Sequence, residues 1–260
     1  MEKSNLGVDR DLFGVNIKIL KLVGMWNPFT TPLKKALYTI YSILVVFIIA
    51  ENVFLTYVDM IQNFNIVIIA DSLPVLITIS CNVLKMIYFL SRHKTLRGII
   101  NQLNLGLYPG MTILTEEETR AKNRSYYLTV TVIGVGLFSC FAVYVKVGFS
   151  LYNFDMSTVS PNSTEPFMAF LRIRQWYPTS WWFKNYVLVS LHGVLGVMVW
   201  GPPTDMGHDC LIAALLIHIA CQFEVIQRRV ADYASDEKID DHERYELLRK
   251  CLIFHQRSLK

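Results

Sequence analysis

The sequence predicts an all-α fold: a polytopic membrane helical bundle of four transmembrane helices with amphipathic cytoplasmic helices. Three observations carry that prediction. The composition is 53% hydrophobic and only 18% charged, with a mean hydropathy of +0.35, well to the apolar side of a soluble domain. Four stretches are long and apolar enough to cross a hydrocarbon layer roughly 30 Å thick, which takes about 20 helical residues. The basic residues, finally, fall almost wholly on one side of those stretches.

The first stretch is Ala36 to Tyr57, "ALYTIYSILVVFIIAENVFLTY". It begins too far from Met1, after too much polar sequence, to be a cleaved signal peptide, and is expected to stay as a signal-anchor. The second is Phe64 to Leu90, and the third is Tyr126 to Tyr152, uncharged as far as Val145. The fourth runs from Tyr186 to about Ile226. Its 41 residues would measure roughly 60 Å as a helix, twice one crossing. Gly201-Pro202-Pro203 lies inside it and is expected to break or kink it, because proline removes a backbone donor and clashes with the preceding turn. One long broken helix is therefore expected rather than two crossings. The resulting organisation is a segment 1–35 with an interfacial helix, a four-span bundle 36–226 and a helical tail 227–260. No internal repeat or low-complexity segment is visible.

Residues 1–35 carry six Lys and Arg, residues 91–125 six and residues 228–260 eight, against three in residues 153–185. The positive-inside rule then places both ends of the chain in the cytoplasm. The net charge of +4 is accounted for by topology signals beside anionic lipid, so no nucleic-acid partner is expected. Cys81, Cys140, Cys210 and Cys221 lie in apolar spans and Cys251 in the tail, so no disulfide is expected. Asn162-Ser163-Thr164 is a glycosylation acceptor in the outer loop, whereas Asn123-Arg124-Ser125 falls on the cytoplasmic side and is expected to be silent.

Between the spans, Leu12, Val15, Ile19 and Val23 fall near one helical face, which predicts an interfacial helix ended by Asn27-Pro28. The second span is expected to run on into the cytoplasm until Pro109-Gly110. The run Glu116-Glu117-Glu118 reads as a solvated face. The tail "DDHERYELLRKCLIFHQRSLK" is again helical, with Tyr245, Leu248 and Leu252 at i, i+3 and i+7.

The stretch "GHDCLIAALLIHIACQF" at 207–223 contains His208, Asp209, Cys210, His218 and Cys221, all metal-ligand types. His208 and His218 would lie roughly 15 Å apart along a helix, whereas zinc binds its ligands at about 2 Å. The stretch is read as the inner half of the fourth span, and neither a metal nor a cofactor is expected. Charges within spans are costly and each needs a reason. Asp71 and Lys146 are candidate partners facing a wet cavity, or each snorkels to the interface on its own. Lys85, near the inner end of its helix, is expected to snorkel. His192 reads as a helix-contact residue.

"GMWNP" before the first span, "RQWYPTSWW" in the outer loop, and "DCLIAALLIHIACQFEVIQRRV" followed by an acidic stretch and "LLRKCLIFHQ" together resemble the insect odorant receptor family. The cytoplasmic N-terminus agrees and argues against a G-protein-coupled receptor. The family has seven spans and this chain stops where a fifth would begin, so the resemblance implies the N-terminal part of a receptor, truncated after the fourth span. Gly201-Pro202-Pro203 is more disruptive than the resemblance leads one to expect. The resemblance further implies an odorant-gated cation channel in the plasma membrane, built from a tuning subunit and a shared co-receptor subunit. Its pore is lined by a seventh helix that this chain lacks.

In that family the odorant pocket lies in the outer half of the bundle, between the second, third, fourth and sixth helices. A volatile ligand offers few hydrogen bonds, so its affinity must come from apolar burial at about 25 cal/mol per Å². Outer-half positions at helical spacing give Val67, Asp71 and Pro74 from the second span, Tyr144, Gly148 and Tyr152 from the third, and Val189, His192 and Gly196 from the fourth. Each also reads as ordinary helix packing. The expected partners are a small volatile odorant, the co-receptor and membrane lipid. Two alternatives stay open: a complete four-span structural or regulatory membrane protein, and a fragment of a gustatory chemoreceptor. No paired nucleophile and base, phosphate loop or metal cluster points to an enzyme.

Overall fold

The computed structural model describes residues 11–62, 66–105, 115–152 and 200–235, with isolated positions at 64, 188, 192, 240–243, 245, 246, 248, 249 and 252. Among the described residues there is no strand. The helices in chain order are α1 (Gly14–Leu22), α2 (Pro32–Gln62), α3 (Ile66–Leu105), α4 (Glu116–Tyr152) and α5 (Gly201–Ser235). Four are long and apolar enough to cross a membrane, within Pro32–Gln62, Ser72–Asn104, Glu116–Ala142 and Gly201–Ser235. The chain is an all-α, multi-pass membrane protein.

The helices outrun the spans read from hydropathy. α3 continues past Leu90 to Leu105, as expected, while α4 already starts at Glu116 and α5 runs on to Ser235. Hydropathy locates where lipid can surround a helix, and backbone hydrogen bonding continues beyond that slab. The upper part of the predicted fourth span, the outer loop with Asn162, and Pro109-Gly110 lie outside the described residues. In the tail, Tyr245 and Leu252 are exposed and Leu248 is half-buried.

α2 shows how the residues sort. Its buried positions are Ser42, Val45, Ile49, Asn52, Thr56 and Asp59, an alternation of three and four residues that defines one helical stripe. Four of those six are polar. Leu33, Leu37, Ile40, Ile43, Leu44, Phe47 and Phe54 are exposed. Polar groups inward and leucines outward is the order that hydrocarbon surroundings impose. Helix α5 is the most enclosed, with 44% of its apolar window buried against 22 to 28% in the other three.

The chain divides into two compact units. The first draws on Met1–Asn16, Lys94–Val130 and Asp209–Lys260. Here Thr115 and Glu118 form a capping box: the Glu118 amide donates to Thr115 Oγ (3.2 Å) and the Thr115 amide to Glu118 Oε2 (2.9 Å). The acidic run is therefore a solvated face only at Glu116, which is exposed. Glu118 is buried, Glu117 pairs with Arg228, and Glu116 pairs with Arg120 one turn on (2.8 Å). Ala121, Cys221, Val225 and Ile226 form a small apolar core beside them. Asn16 Nδ2 donates to Thr129 Oγ (2.9 Å), the Leu12 amide to Asn104 Oδ1 (3.3 Å), and Phe13 meets His218 edge-on at 4.8 Å.

The second unit draws on Ile17–His93 and Thr131–His208. α1 ends there in a Schellman turn. Gly24 takes φ +83°, and the Met25 amide reaches back to the Leu20 carbonyl (2.8 Å). Side chains of α2 satisfy the carbonyls that α1 leaves over: Tyr38 donates to Lys21 O (2.7 Å), Tyr41 to Leu22 O (2.7 Å) and Ser42 to Gly24 O. Asn27 Oδ1 accepts from the Phe29 amide (3.0 Å) and makes the turn into α2. The face that α1 buries is Phe13, Asn16 and Leu20, with Leu12 and Val23 at its ends. Val15 and Ile19, read with Leu12 and Val23 as one apolar face of an interfacial helix, are half-buried. Asn16 displaces them because its amide has a fixed partner in Thr129.

Gly24→Ala should destabilise the protein by about 1–2 kcal/mol, the cost of a side chain in the left-handed region, and its Cβ would also crowd the Tyr41 ring at 3.2 Å. Gly98, inside α3 with nothing near its absent Cβ, should gain up to about 1 kcal/mol as alanine. Thermal unfolding of both variants in detergent checks the pair, and equal shifts would contradict the turn.

Candidate functional site

Three successive turns of α3 face the start of α5 in the second unit. Asn82 Nδ2 donates to Gly201 O (3.1 Å) and to Thr204 Oγ (2.9 Å). One turn on, Lys85 Nζ lies 2.8 Å from Asp205 Oδ1. One more turn on, the Phe89 ring is 4.7 Å from the His208 ring and 6.5 Å from Trp26. Asn82, Thr204 and His208 are buried, whereas the Lys85 and Asp205 side chains are 40% and 28% exposed. The sequence expectation that Lys85 snorkels alone is corrected. At three-residue spacing from Asn82 it shares the face that meets α5, and Asp205 is within its reach.

The Gly201-Pro202-Pro203 step falls at the start of this seam. Both prolines fall among the first described residues of α5, where each withdraws a backbone amide from the turn before it. Trp200, just before, has π-helical geometry, a winding that accompanies irregular turns. Thr204 Oγ lies 2.8 Å from Trp200 O and 2.7 Å from Gly201 O. With Asn82 on the same carbonyl, two side chains converge on the backbone of Gly201. Residues 193–199, and with them the upstream course of a kink, lie outside the described residues. α4 joins at Gly136, where any Cβ would collide with Met206.

A second polar contact crosses from α2. His192 Nε2 lies 3.5 Å from Glu51 Oε2, both side chains about one third exposed. Asn52, next to Glu51, is buried and donates to Ile48 O (2.6 Å). Glu51 escaped the sequence reading, although a lone carboxylate in "IIAENVF" is the same kind of signal as Asp71.

Of the residues chosen for a pocket, Pro74, Gly148 and Tyr152 are exposed and His192 is half-buried. A Cβ on Gly148 would meet nothing within 4 Å. The side chains of Val67, Asp71 and Tyr144, together with Val189 and Gly196, lie outside the described residues, so the Asp71–Lys146 pairing does as well. Lys146 itself is exposed. Of the ligand-type residues at 208–221, His208, Cys210, His218 and Cys221 are buried and Asp209 is exposed. His208 packs against Phe89 and His218 against Phe13. Among the described residues, no group of three or more His, Cys, Asp and Glu could hold a metal ion.

The α3–α5 seam can be tested by double-mutant cycles. Asn82→Ala with Thr204→Val should show a coupling of about 0.6 kcal/mol, and no more than about 1.7, as for other hydrogen bonds between membrane helices. Lys85→Met or Asp205→Leu alone should lower Tm, and the double variant should recover part of the loss, because each single change strands a charge. Strict additivity in both cycles would contradict the contacts.

Comparison with known proteins bears on the same region. The family model described as "7tm Odorant receptor" matches residues 65–260, which includes α3, α4 and α5 and both sides of the α3–α5 seam. No curated protein and no solved structure matches the chain. "GMWNP" lies ahead of the matched residues, whereas "RQWYPTSWW" and the α5 sequence lie within them. A match over three quarters of the sequence, on a chain with four membrane-length helices, is decisive: the chain belongs to the 7tm odorant receptor family.

Proposed function

We propose that this chain recognises small apolar volatiles as part of an odorant-gated cation channel. It does so as a tuning subunit beside a co-receptor, in the plasma membrane, with both ends of this chain in the cytoplasm. Family membership supports the chemoreceptor role. The surplus of lysine and arginine in residues 1–35, 91–125 and 228–260 supports the orientation.

The observation that carries the ligand reading is the Glu51–His192 contact. A carboxylate and an imidazole held 3.5 Å apart in an otherwise apolar run supply a polar anchor, and His192 is one of the residues chosen for the pocket. Around it we place Val67, Asp71 and Pro74 of α3, Tyr144, Gly148 and Tyr152 of α4, and Val189 and Gly196. Apolar walls with one or two polar groups are the usual make-up of a small-molecule site.

Gly148 offers the cleanest test. Among the described residues nothing lies within 4 Å of its missing Cβ, so a larger side chain there meets none of them. Gly148→Leu in a functional receptor complex should reduce the odorant-evoked current by about ten-fold, the effect of roughly 1.4 kcal/mol of lost binding. Leucine at Asp209, exposed on α5, should leave it unchanged. A Gly148→Leu receptor with the wild-type response would remove Gly148 from the pocket.

Orientation is tested separately. A glycosylation reporter near Asn162 should be modified, and one ahead of α1 should not. Modification of the N-terminal reporter would reverse the topology.

A further inference from the structure

Residues 12–50 contain four lysines, Lys18, Lys21, Lys34 and Lys35, and no Asp or Glu. All four side chains are exposed, and none forms an ion pair among the described residues. The backbone contacts bring Lys21, Lys34 and Lys35 to one corner. Tyr38 donates to the Lys21 carbonyl (2.7 Å) and Tyr41 to the Leu22 carbonyl (2.7 Å), which fixes the end of α1 against the first turns of α2. Lys34 and Lys35 lie four and three residues before Tyr38, one turn away on the same helix. Lys34 Nζ is also held 6.0 Å from the Phe29 ring centroid.

This corner sits at the rim of a span. The most apolar run of α2 begins immediately after Lys35, and a chain of aromatic rings encircles the same level. Phe29 meets Tyr38 at 6.0 Å, Tyr38 meets Tyr41 at 5.8 Å and Tyr41 meets Trp200 at 5.8 Å. Tyrosine and tryptophan collect where hydrocarbon gives way to headgroups. Past the lysines along α2, Leu37 and Leu44 are exposed two turns apart on one side of the helix. From Leu37 to Leu44 is roughly 10 Å along the axis, about two thirds of one leaflet. Leu22, at the end of α1, is 72% exposed.

We propose that this corner is a docking site for one anionic phospholipid. Lys21, Lys34 and Lys35 hold the headgroup, and Leu22, Leu37 and Leu44, exposed beside them, take an acyl chain. The charge complementarity is one-sided, because no acidic side chain of residues 12–50 competes for the lysines. A bound lipid would tie the end of α1 to the first turns of α2 from outside. It would thus brace the corner without entering the bundle.

The test is electron paramagnetic resonance of the full chain in phosphatidylcholine nanodiscs, comparing spin-labelled phosphatidylserine with spin-labelled phosphatidylcholine. Each lysine near a surface contributes about 1 kcal/mol of attraction to anionic lipid, so the wild type should prefer phosphatidylserine by about ten-fold or more. The triple variant Lys21→Gln, Lys34→Gln, Lys35→Gln should fall below about two-fold, and arginine at the same three positions should keep the preference. Glutamine at Lys94, Arg97 and Lys122 should also keep it. A wild type without preference, a glutamine triple that retains it, or equal loss in the Lys94, Arg97 and Lys122 variant would overturn the site.

Discussion

Between helices surrounded by hydrocarbon, burying a leucine gains little, since the acyl chains it leaves are as apolar as the neighbour it meets. Cohesion must come from close packing and from polar groups that find partners inside. The contact between Asn82 and the Gly201–Thr204 turn shows the constraint at its sharpest. Beside the proline pair of α5, Thr204 and Asn82 both reach the Gly201 carbonyl. Lys85 and Asp205 extend the same face by one turn, and Gly136 lets Met206 approach α4. The placement of α5's first turns against α3 and α4 follows from these few side chains.

The inverted order of α2 expresses the same constraint along a whole helix. Its buried stripe is Ser, Val, Ile, Asn, Thr and Asp, and its large apolar residues look outward. In water such a helix would expose its leucines at great cost. In lipid it presents them where they belong and keeps its hydrogen-bonding groups for the protein. The corner of α1 applies the rule at the rim, where tyrosine hydroxyls of α2 close the carbonyls of α1 while the lysines face out.

The spans were legible from length and composition, because a helix of about 20 apolar residues has few other places to be. "GMWNP" could be read as a stop, and the structure explains it by the positive φ of Gly24 and the Asn27 turn. What periodicity could not supply was the partner on another helix. Lys85 looked solitary because Asp205 lies far away in sequence, and the Asn16–Thr129 bond that rotates the buried face of α1 is invisible for the same reason. Two signals were present but unread: Thr-x-x-Glu at 115–118 announces a capping box, and Glu51 interrupts an apolar run. The pocket was least legible, since a volatile ligand needs shape rather than a motif, and its residues belong to helices whose apolar positions all look alike.

The central claim is that α2 turns its polar stripe to the protein and its apolar stripe to lipid. Nitroxide side chains introduced one at a time from 40 to 56, with collision rates to dissolved oxygen measured in bilayers, read that arrangement directly. Positions 40, 43, 44, 47 and 54 should show high oxygen accessibility and positions 42, 45, 49, 52 and 56 low accessibility, with a helical period. Uniform accessibility, or a maximum on the Ser42–Thr56 stripe, would contradict it.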